Sequence, residues 1–347
     1  MQRLLLANAL LATPLTLAAQ WTAQTSNTDA ELRGLSVVSP TVVWASGTKG
    51  RVVHTTDGGR TWRVDTIADA ATLDLRDITA LNDQVALAMS AGDADKGQAR
   101  IYRTRDGGAH WTRVFSDTTK GVFLDALGFW DARHGIAMSD PVDGKLFLVT
   151  TSDAGATWQR VPPDRLPPML PGEASFAASG TCLTLYDSRH VWIATGGGAK
   201  SRVFHSSDRG RTWTVSDTPV RAGSASSGIF SVSFRDAITG VAVGGDYQQP
   251  HGESPNVAIT NDGGRTWRLA KGPLPIGYFS AVAFPPKAPS IVIATGLAGT
   301  ARSVDAGDSW TMVDSVPYNS VAFASKRDGW AVGPRGRIAK WAGAPSK

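Results

Sequence analysis

The sequence predicts an all-β protein: a seven-bladed β-propeller of four-stranded antiparallel blades, closed by an N-terminal strand that completes the last blade. Three observations carry the prediction. An eight-residue phrase, Ser/Thr-x-Asp-x-Gly-x-Ser/Thr-Trp, recurs six times, its aspartates 49, 47, 55, 54 and 43 residues apart. A recurrence of that length means one supersecondary unit per period. Between the phrases stand short Val, Ile and aromatic runs bounded by Gly, Pro, Asp and Ser, which read as strands, and no segment shows a helical period. A last set of three such runs, ending at Trp341, lacks a fourth strand, and the stretch Gln20 to Thr25 resembles the residues just after each phrase.

The phrases run from Thr55 to Trp62, Thr104 to Trp111, Thr151 to Trp158, Ser206 to Trp213, Thr260 to Trp267 and Ser303 to Trp310. Their aspartates (Asp57, Asp106, Asp153, Asp208, Asp262, Asp305) are expected to accept backbone N–H groups one to three residues onward and so close a turn. The fixed glycines (Gly59, Gly108, Gly155, Gly210, Gly264, Gly307) permit positive φ where the chain reverses. The tryptophans (Trp62, Trp111, Trp158, Trp213, Trp267, Trp310) supply an apolar ring to seal the end of a sheet. These are the needs of a tight turn between two strands, and none of them requires a substrate. His110 stands where the other copies carry Ser or Thr, and it reads as a solvated substitution.

In chain order, inner strands are expected to start near Leu32, Leu75, Phe123, Thr181, Ile229, Tyr278 and Tyr318. In the first unit the runs from Leu35, Val42 and Arg51 lead into Asp57; in the last, those from Ser320, Gly329 and Gly336 end at Trp341. Six phrases for seven units leave one turn without its phrase. That turn is the gap between the two chain ends if Trp21 and its neighbours supply the outer strand of the last blade. Closure of the ring also removes the exposed edge of an open array.

The length of 347 residues would allow two domains, but the unbroken repeat argues for one over 20–347. Residues 1–19 read as a secretory signal: Arg3, an apolar run from Leu4 to Leu17 and small residues before a cut near Ala19/Gln20. The mature protein is therefore expected in the periplasm or outside the cell, and as a monomer. Cys182 is the only cysteine, so no intrachain disulfide forms, and its place at an inner strand suggests burial. The net charge of +5 includes turn arginines Arg60, Arg105, Arg209, Arg211 and Arg265, which share one rim and are either solvated or attract an acidic partner. Basic residues without interleaved aromatics give no support to nucleic acid as a partner.

A ligand is expected on the face opposite the phrases, where the loops vary most. Long loops run over Pro162 to Gly180, Arg221 to Ser227 and Asp246 to Asn256, and polar groups stand at the mouths of the inner strands. Together they give a candidate central funnel of Arg33, Arg76, Asp77, Asp125, Glu173, Ser179, Tyr247, His251, Glu253, Tyr278, Tyr318 and Asn319. The alternative is that these groups pair with one another and solvate a channel. Asp93, Asp95, Asp140 and Asp143 offer too few oxygens at calcium spacing. His134, His190, His205 and His251 form no zinc-like grouping in sequence, so neither metal nor cofactor is called for.

The phrase resembles the Asp-box, or BNR repeat, of sialidases and of many non-enzymatic propellers, over nearly the whole chain. A sialidase would imply an Arg-Ile-Pro motif, a clamp of three arginines and a Tyr/Glu nucleophile pair, usually on six blades. No Arg-Ile-Pro occurs, and Glu31, Glu173 and Glu253 are the only glutamates. A glycoside hydrolase would have to draw its two carboxylates from Asp125, Glu173 and Asp246. The chain also resembles the photosystem II stability and assembly factor (Ycf48-like) family, in its seven units, its exported start and the phrase Gly329 to Gly333 followed by Gly336 to Ile338. That resemblance implies a non-catalytic, exported binding scaffold that aids a membrane or envelope protein complex. It would hold a protein or glycan ligand and meet the membrane only through a partner. Nothing in the sequence marks a photosynthetic source, so the photosystem itself is not carried over.

Overall fold

A computed structural model describes residues 20–275 and 277–343; the expected signal over 1–19 lies outside them. Seven four-stranded antiparallel sheets follow one another, each ordered from an inner to an outer strand. The first blade comprises Leu32–Val37, Val43–Gly47, Arg51–Thr55 and Arg63–Thr66. Inner strands of the next five are Asp74–Ala80, Leu124–Phe129, Leu183–Tyr186, Ser227–Phe234 and Phe279–Ala283. The last blade takes Ser320–Phe323, Gly329–Val332 and Ile338–Trp341 from the C-terminal end and Trp21–Gln24 from the N-terminal end. Trp21 lies opposite Trp341 and Gln24 opposite Ile338. The expected closure is therefore the observed one.

Second strands such as Val43–Gly47 and Ala86–Ala91 are buried along their whole length, because a neighbouring blade covers each face. Outer strands such as Arg63–Thr66 are largely solvated. The apolar core is accordingly divided into wedges between blades. Leu87, Met89 and Ile101 of the second blade pack on Leu124, Leu127 and Phe147 of the third. Trp330, Val332 and Ile338 of the last pack on Leu32, Val43 and Val53 of the first. Each wedge exists only if both of its blades are present. Cys182 is fully buried in the wedge between the third and fourth blades, as its position suggested.

The repeated turns lie between third and fourth strands and have one hydrogen-bond plan. The Thr55 hydroxyl donates to Asp57 Oδ1 at 2.8 Å and accepts the N–H groups of Asp57 and Gly59. Asp57 in turn accepts the Thr61 N–H at 3.0 Å and the Thr61 hydroxyl at 2.7 Å. The carboxylate therefore reaches four residues onward, farther than the one to three expected, because the opening hydroxyl takes the nearer N–H groups. His110 Nδ1 sits 2.7 Å from Asp106 Oδ2, in the place of the missing hydroxyl, with its ring in solvent. The fixed glycines have φ from 77° to 100°, and the residue before each is also left-handed, even where it is Ala154, Arg209 or Ala306. Backbone and then side-chain hydrogen bonds from Thr157 hold Asp153 down at about 2, and those of His110 do the same for Asp106.

Two side chains bolt the closing strand into the ring. Trp21 packs edge-on against Trp341, with ring centroids 4.9 Å apart, and its Nε1 donates to Thr300 Oγ1 of the sixth blade at 3.1 Å. Gln24 Oε1 accepts the indole N–H groups of both Trp330 and Trp62, each at 3.2 Å, and so ties the last blade to the first. Trp21→Ala removes the ring that fills the wedge between the sixth and last blades. A loss of about 3–5 kcal/mol in urea unfolding is expected, as for other buried aromatics cut to Ala. A loss below about 1 kcal/mol would show that strand pairing alone closes the ring.

Candidate functional site

Each inner strand begins on the face opposite the repeated turns, and there five of the seven carry a β-bulge. Register skips one residue at Arg33, Arg76, Asp125, Phe230 and Ser280. The sequence cause is an apolar pair three residues apart where strand alternation would place it two apart: Leu32 and Leu35, Leu75 and Ile78, Leu124 and Leu127, Ile229 and Val232. Both members of each pair stay in the core only if the chain absorbs one extra residue, and a bulge re-aims the side chain it carries. Arg33, Arg76, Asp125 and Phe230 are thereby turned onto the central axis, where they line a cavity of about 480 Å³.

The floor of this cup is a loop segment that crosses the axis. The Ala177 carbonyl accepts a hydrogen bond from Arg76, the Ala178 carbonyl one from Arg33, and the Ser179 hydroxyl donates to the Ser280 carbonyl at 2.7 Å. One short segment thus touches the first, second and sixth blades and plugs the channel. Phe176 precedes the plug and stacks on Phe230 at 3.9 Å between centroids, and Tyr278 meets the other side of Phe230 edge-on at 4.6 Å. Room for Phe176 comes from Gly196 and Gly228, because a Cβ on either would lie 2.8 Å from its ring. Tyr247 and Leu297, both more than a third exposed, form the rim of this apolar wall.

The opposite wall is charged. Arg33 pairs with Glu31 at 2.5 Å and Arg76 with Asp74 at 2.7 Å, so both guanidinium groups already have carboxylate partners. Asp125 is 1% exposed, and its Oδ2 has no hydrogen-bond partner. Asp140, from the second strand of the same blade, accepts the Ser175 N–H at 3.1 Å. Burial, and then the charge of Asp140, push the Asp125 carboxyl well above the usual range, against the pull of Arg76. Burial likewise raises Asp140 to about 6, against the Ser175 N–H. Both carboxyls therefore hold their protons to higher pH than a free aspartate, and ionising Asp140 makes ionising Asp125 harder.

Of the residues singled out from sequence, Arg33, Arg76, Asp125, Tyr247, Tyr278 and Asn319 meet in the cup. The others lie elsewhere, each for a local reason. Asp77 is buried behind the bulge and accepts the N–H groups of Ile78 and of Leu127 in the next blade. Glu173 is fully buried against Arg202, with the Thr195 hydroxyl and the Leu170 N–H as further donors, and so anchors the plug loop. Ser179 belongs to the plug, and Tyr318 packs against Trp21 under Arg337. His251 and Glu253 are exposed on the fifth-blade loop, outside the cup lining. Asp246 is buried beside Arg221, at 3.6 Å. Sequence reasoning missed Glu31, Asp140, Phe176, Phe230 and Leu297; the bulge spacing marks Phe230, and no local pattern marks the others. Strand pairing also joins His190 to His205, nitrogen to nitrogen at 2.9 Å, although they stand fifteen residues apart.

The raised carboxyls carry a pH signature. An unfolded aspartate titrates near 4, whereas Asp140 holds its proton to about 6 and Asp77, raised by burial, to about 7. Between those values the folded state binds more protons, so stability falls as pH rises from about 4 through 7. Asp140→Asn keeps the acceptor for Ser175 and should make that decline shallower by about 1–2 kcal/mol, discounted for its partial exposure. Urea midpoints measured from pH 4 to 8 check this; parallel curves for the two proteins would refute the raised pair.

No protein-family model matches the chain, and no curated protein matches it. Solved structures do resemble it. YCF48 bound to D1 peptide superposes with a TM-score of 0.67 and 18% identity, over 95% of this chain and 99% of that one. YCF48 from Cyanidioschyzon merolae gives 0.64 and 18%, over 93% and 99%. The GH74 xyloglucanase from Xanthomonas campestris gives 0.64 and 15%, over 93% of this chain and 53% of the enzyme, so this chain spans about half its length. At these identities the likeness establishes one thing: this chain is built as the β-propeller that these proteins share.

Proposed function

We propose that this protein is an exported, non-catalytic scaffold that holds a polypeptide segment in the central cup, in support of a membrane or envelope protein complex. The observation that carries the proposal is the cup itself. It is closed below by the plug, open on the loop-bearing face, and lined on one wall by Phe176, Phe230, Tyr247, Tyr278 and Leu297 and on the other by charged groups. An apolar wall with a few fixed polar groups is the usual make-up of a recognition site. A neighbour of the same fold, YCF48, is named as bound to a peptide, which agrees with this use of the fold. Export rests on the signal-like composition of residues 1–19.

One observation favours a second reading, a glycoside hydrolase: a buried carboxyl pair facing a cavity is also what hydrolysis of a glycosidic bond requires. The pair is Asp125 with Asp140, since Glu173 and Asp246 are committed to Arg202 and Arg221.

The test uses residues 20–347 immobilised and panned against a displayed library of twelve-residue peptides. Selected peptides should bind at least tenfold more weakly to Tyr247→Ala and to Leu297→Asp, exposed rim positions where folding is preserved. They should bind the triple variant Arg60→Glu, Arg209→Glu, Arg265→Glu as they bind the parent. The reverse pattern would move the contact to the turn-bearing rim and sink the cup as the site. Release of a fluorophore from sialoside or xyloglucan oligosaccharide reporters, abolished by Asp125→Asn, would replace the scaffold reading with the hydrolase.

A further inference from the structure

Two buried polar atoms of the cup lack hydrogen-bond partners, Arg33 Nε and Asp125 Oδ2. Each guanidinium already has its charge answered, Arg33 by Glu31 with the Ala178 carbonyl as a further acceptor, Arg76 by Asp74 with the Ala177 carbonyl. Asp125 differs in having no ion-pair partner: it is almost wholly buried, it lines the cavity, and its Oδ2 receives no hydrogen bond. A buried carboxyl oxygen without a donor is costly, and in a cavity wall a ligand or ion is one group that can answer it. Asp140 stands beside it with one oxygen held by the Ser175 N–H. The same cavity is lined by the stacked rings of Phe176 and Phe230, which have no polar demand of their own.

We propose that the cup takes a protonated basic side chain of its polypeptide ligand, its cation on the Asp125–Asp140 carboxyl pair and its alkyl stem along Phe176 and Phe230. This rests on the polypeptide reading and names the chemistry the site selects. The geometry suits a long side chain with a charged tip. The carboxyls lie at the buried end of the cup and the aromatic wall continues up to Tyr247 at the rim, so an aliphatic stem is covered while its head reaches the acid pair. An anionic ligand would instead meet arginines whose charge Glu31 and Asp74 already offset.

Binding of this kind is linked to protons. In the empty cup burial favours the protonated carboxyls; an arriving cation favours their ionised form and so releases a proton. The charged and titratable groups facing the pair are Arg76 from the second blade, the Cys182 thiol from the fourth, and Arg33, Glu31 and Tyr278 across the cup. Asp77 also stands near Cys182, behind the cup. Arginine stays charged, and burial holds the phenol and thiol neutral, so through the range from pH 5 to 8 the carboxyls set the response. Affinity for a cation should therefore rise with pH over that range, whereas affinity for an anion would fall.

The experiment compares Nα-acetyl-lysine methylamide with Nα-acetyl-norleucine methylamide, which keeps the stem and lacks the ammonium, by NMR titration of residues 20–347. The lysine compound should bind at least tenfold more tightly at pH 8. Its advantage should shrink at pH 5 and vanish in Asp125→Asn and in Asp140→Asn. Norleucine binding retained by those variants shows that the fold and the aromatic wall are intact. Equal binding of the two compounds, or an advantage that survives Asp125→Asn, overturns the cation assignment and leaves the polypeptide reading standing. Failure of the library to yield any cup-dependent peptide overturns both.

Discussion

Every blade buries its apolar surface only against its neighbours, so the structure depends on the ring being closed. The wedge of Leu87, Ile101, Leu124 and Phe147 is one of a circle of such clusters, and none is a core on its own. An unclosed ring would expose two half-wedges and a strand edge at once. Four residues, Trp21 to Gln24, prevent this. Their backbone completes the last sheet, while the Trp21 indole and the Gln24 amide reach outward to the blades on either side. Closure therefore rests on strand pairing, apolar burial and three side-chain hydrogen bonds drawn from opposite ends of the chain.

With the ring fixed, small changes of register at the start of an inner strand decide what faces the axis. An extra residue between two core positions turns Arg33, Arg76, Asp125 and Phe230 inward. The same bulge hides Asp77, which uses its two oxygens to receive backbone N–H groups of its own and the next blade. Neighbouring residues thus acquire opposite roles from one backbone irregularity. The plug completes the arrangement: its carbonyls accept one hydrogen bond from each arginine, it closes the channel, and Asp125 Oδ2 is left without a donor.

How much of this was legible in the sequence depended on how local the cause was. The repeated turns could be read because their partners are at most four residues apart, as in Thr151, Asp153 and Thr157. The closing strand was legible because Trp21 and its neighbours repeat the composition found after each turn. Half of the funnel is legible on the assumption that polar groups at strand mouths point inward, which the bulges make true for Arg33, Arg76 and Asp125 and untrue for Asp77. Asp140 and Phe176 were not legible. Asp140 reaches the cup through strand pairing, and Phe176 through a loop that depends on Glu173 meeting Arg202 and on bare backbone at Gly196 and Gly228. No short pattern encodes either event.

The two faces of the propeller differ most in what remains unused. On the turn-bearing face, Asp153 gives one oxygen to the Thr151 hydroxyl and the Thr157 N–H and the other to the Thr157 hydroxyl. A ligand there would have to compete with bonds that hold the turn. At the other end of the six-residue inner strand Leu124–Phe129, about 20 Å long, Asp125 has an oxygen that the fold leaves unanswered. Repetition made the first carboxylates conspicuous, and it did so because turn geometry demands them at every blade. The second occurs once, in a position that six other blades fill with something else. A feature repeated around the ring serves the ring; one that breaks the repeat and is left unsatisfied is where recognition has room to act.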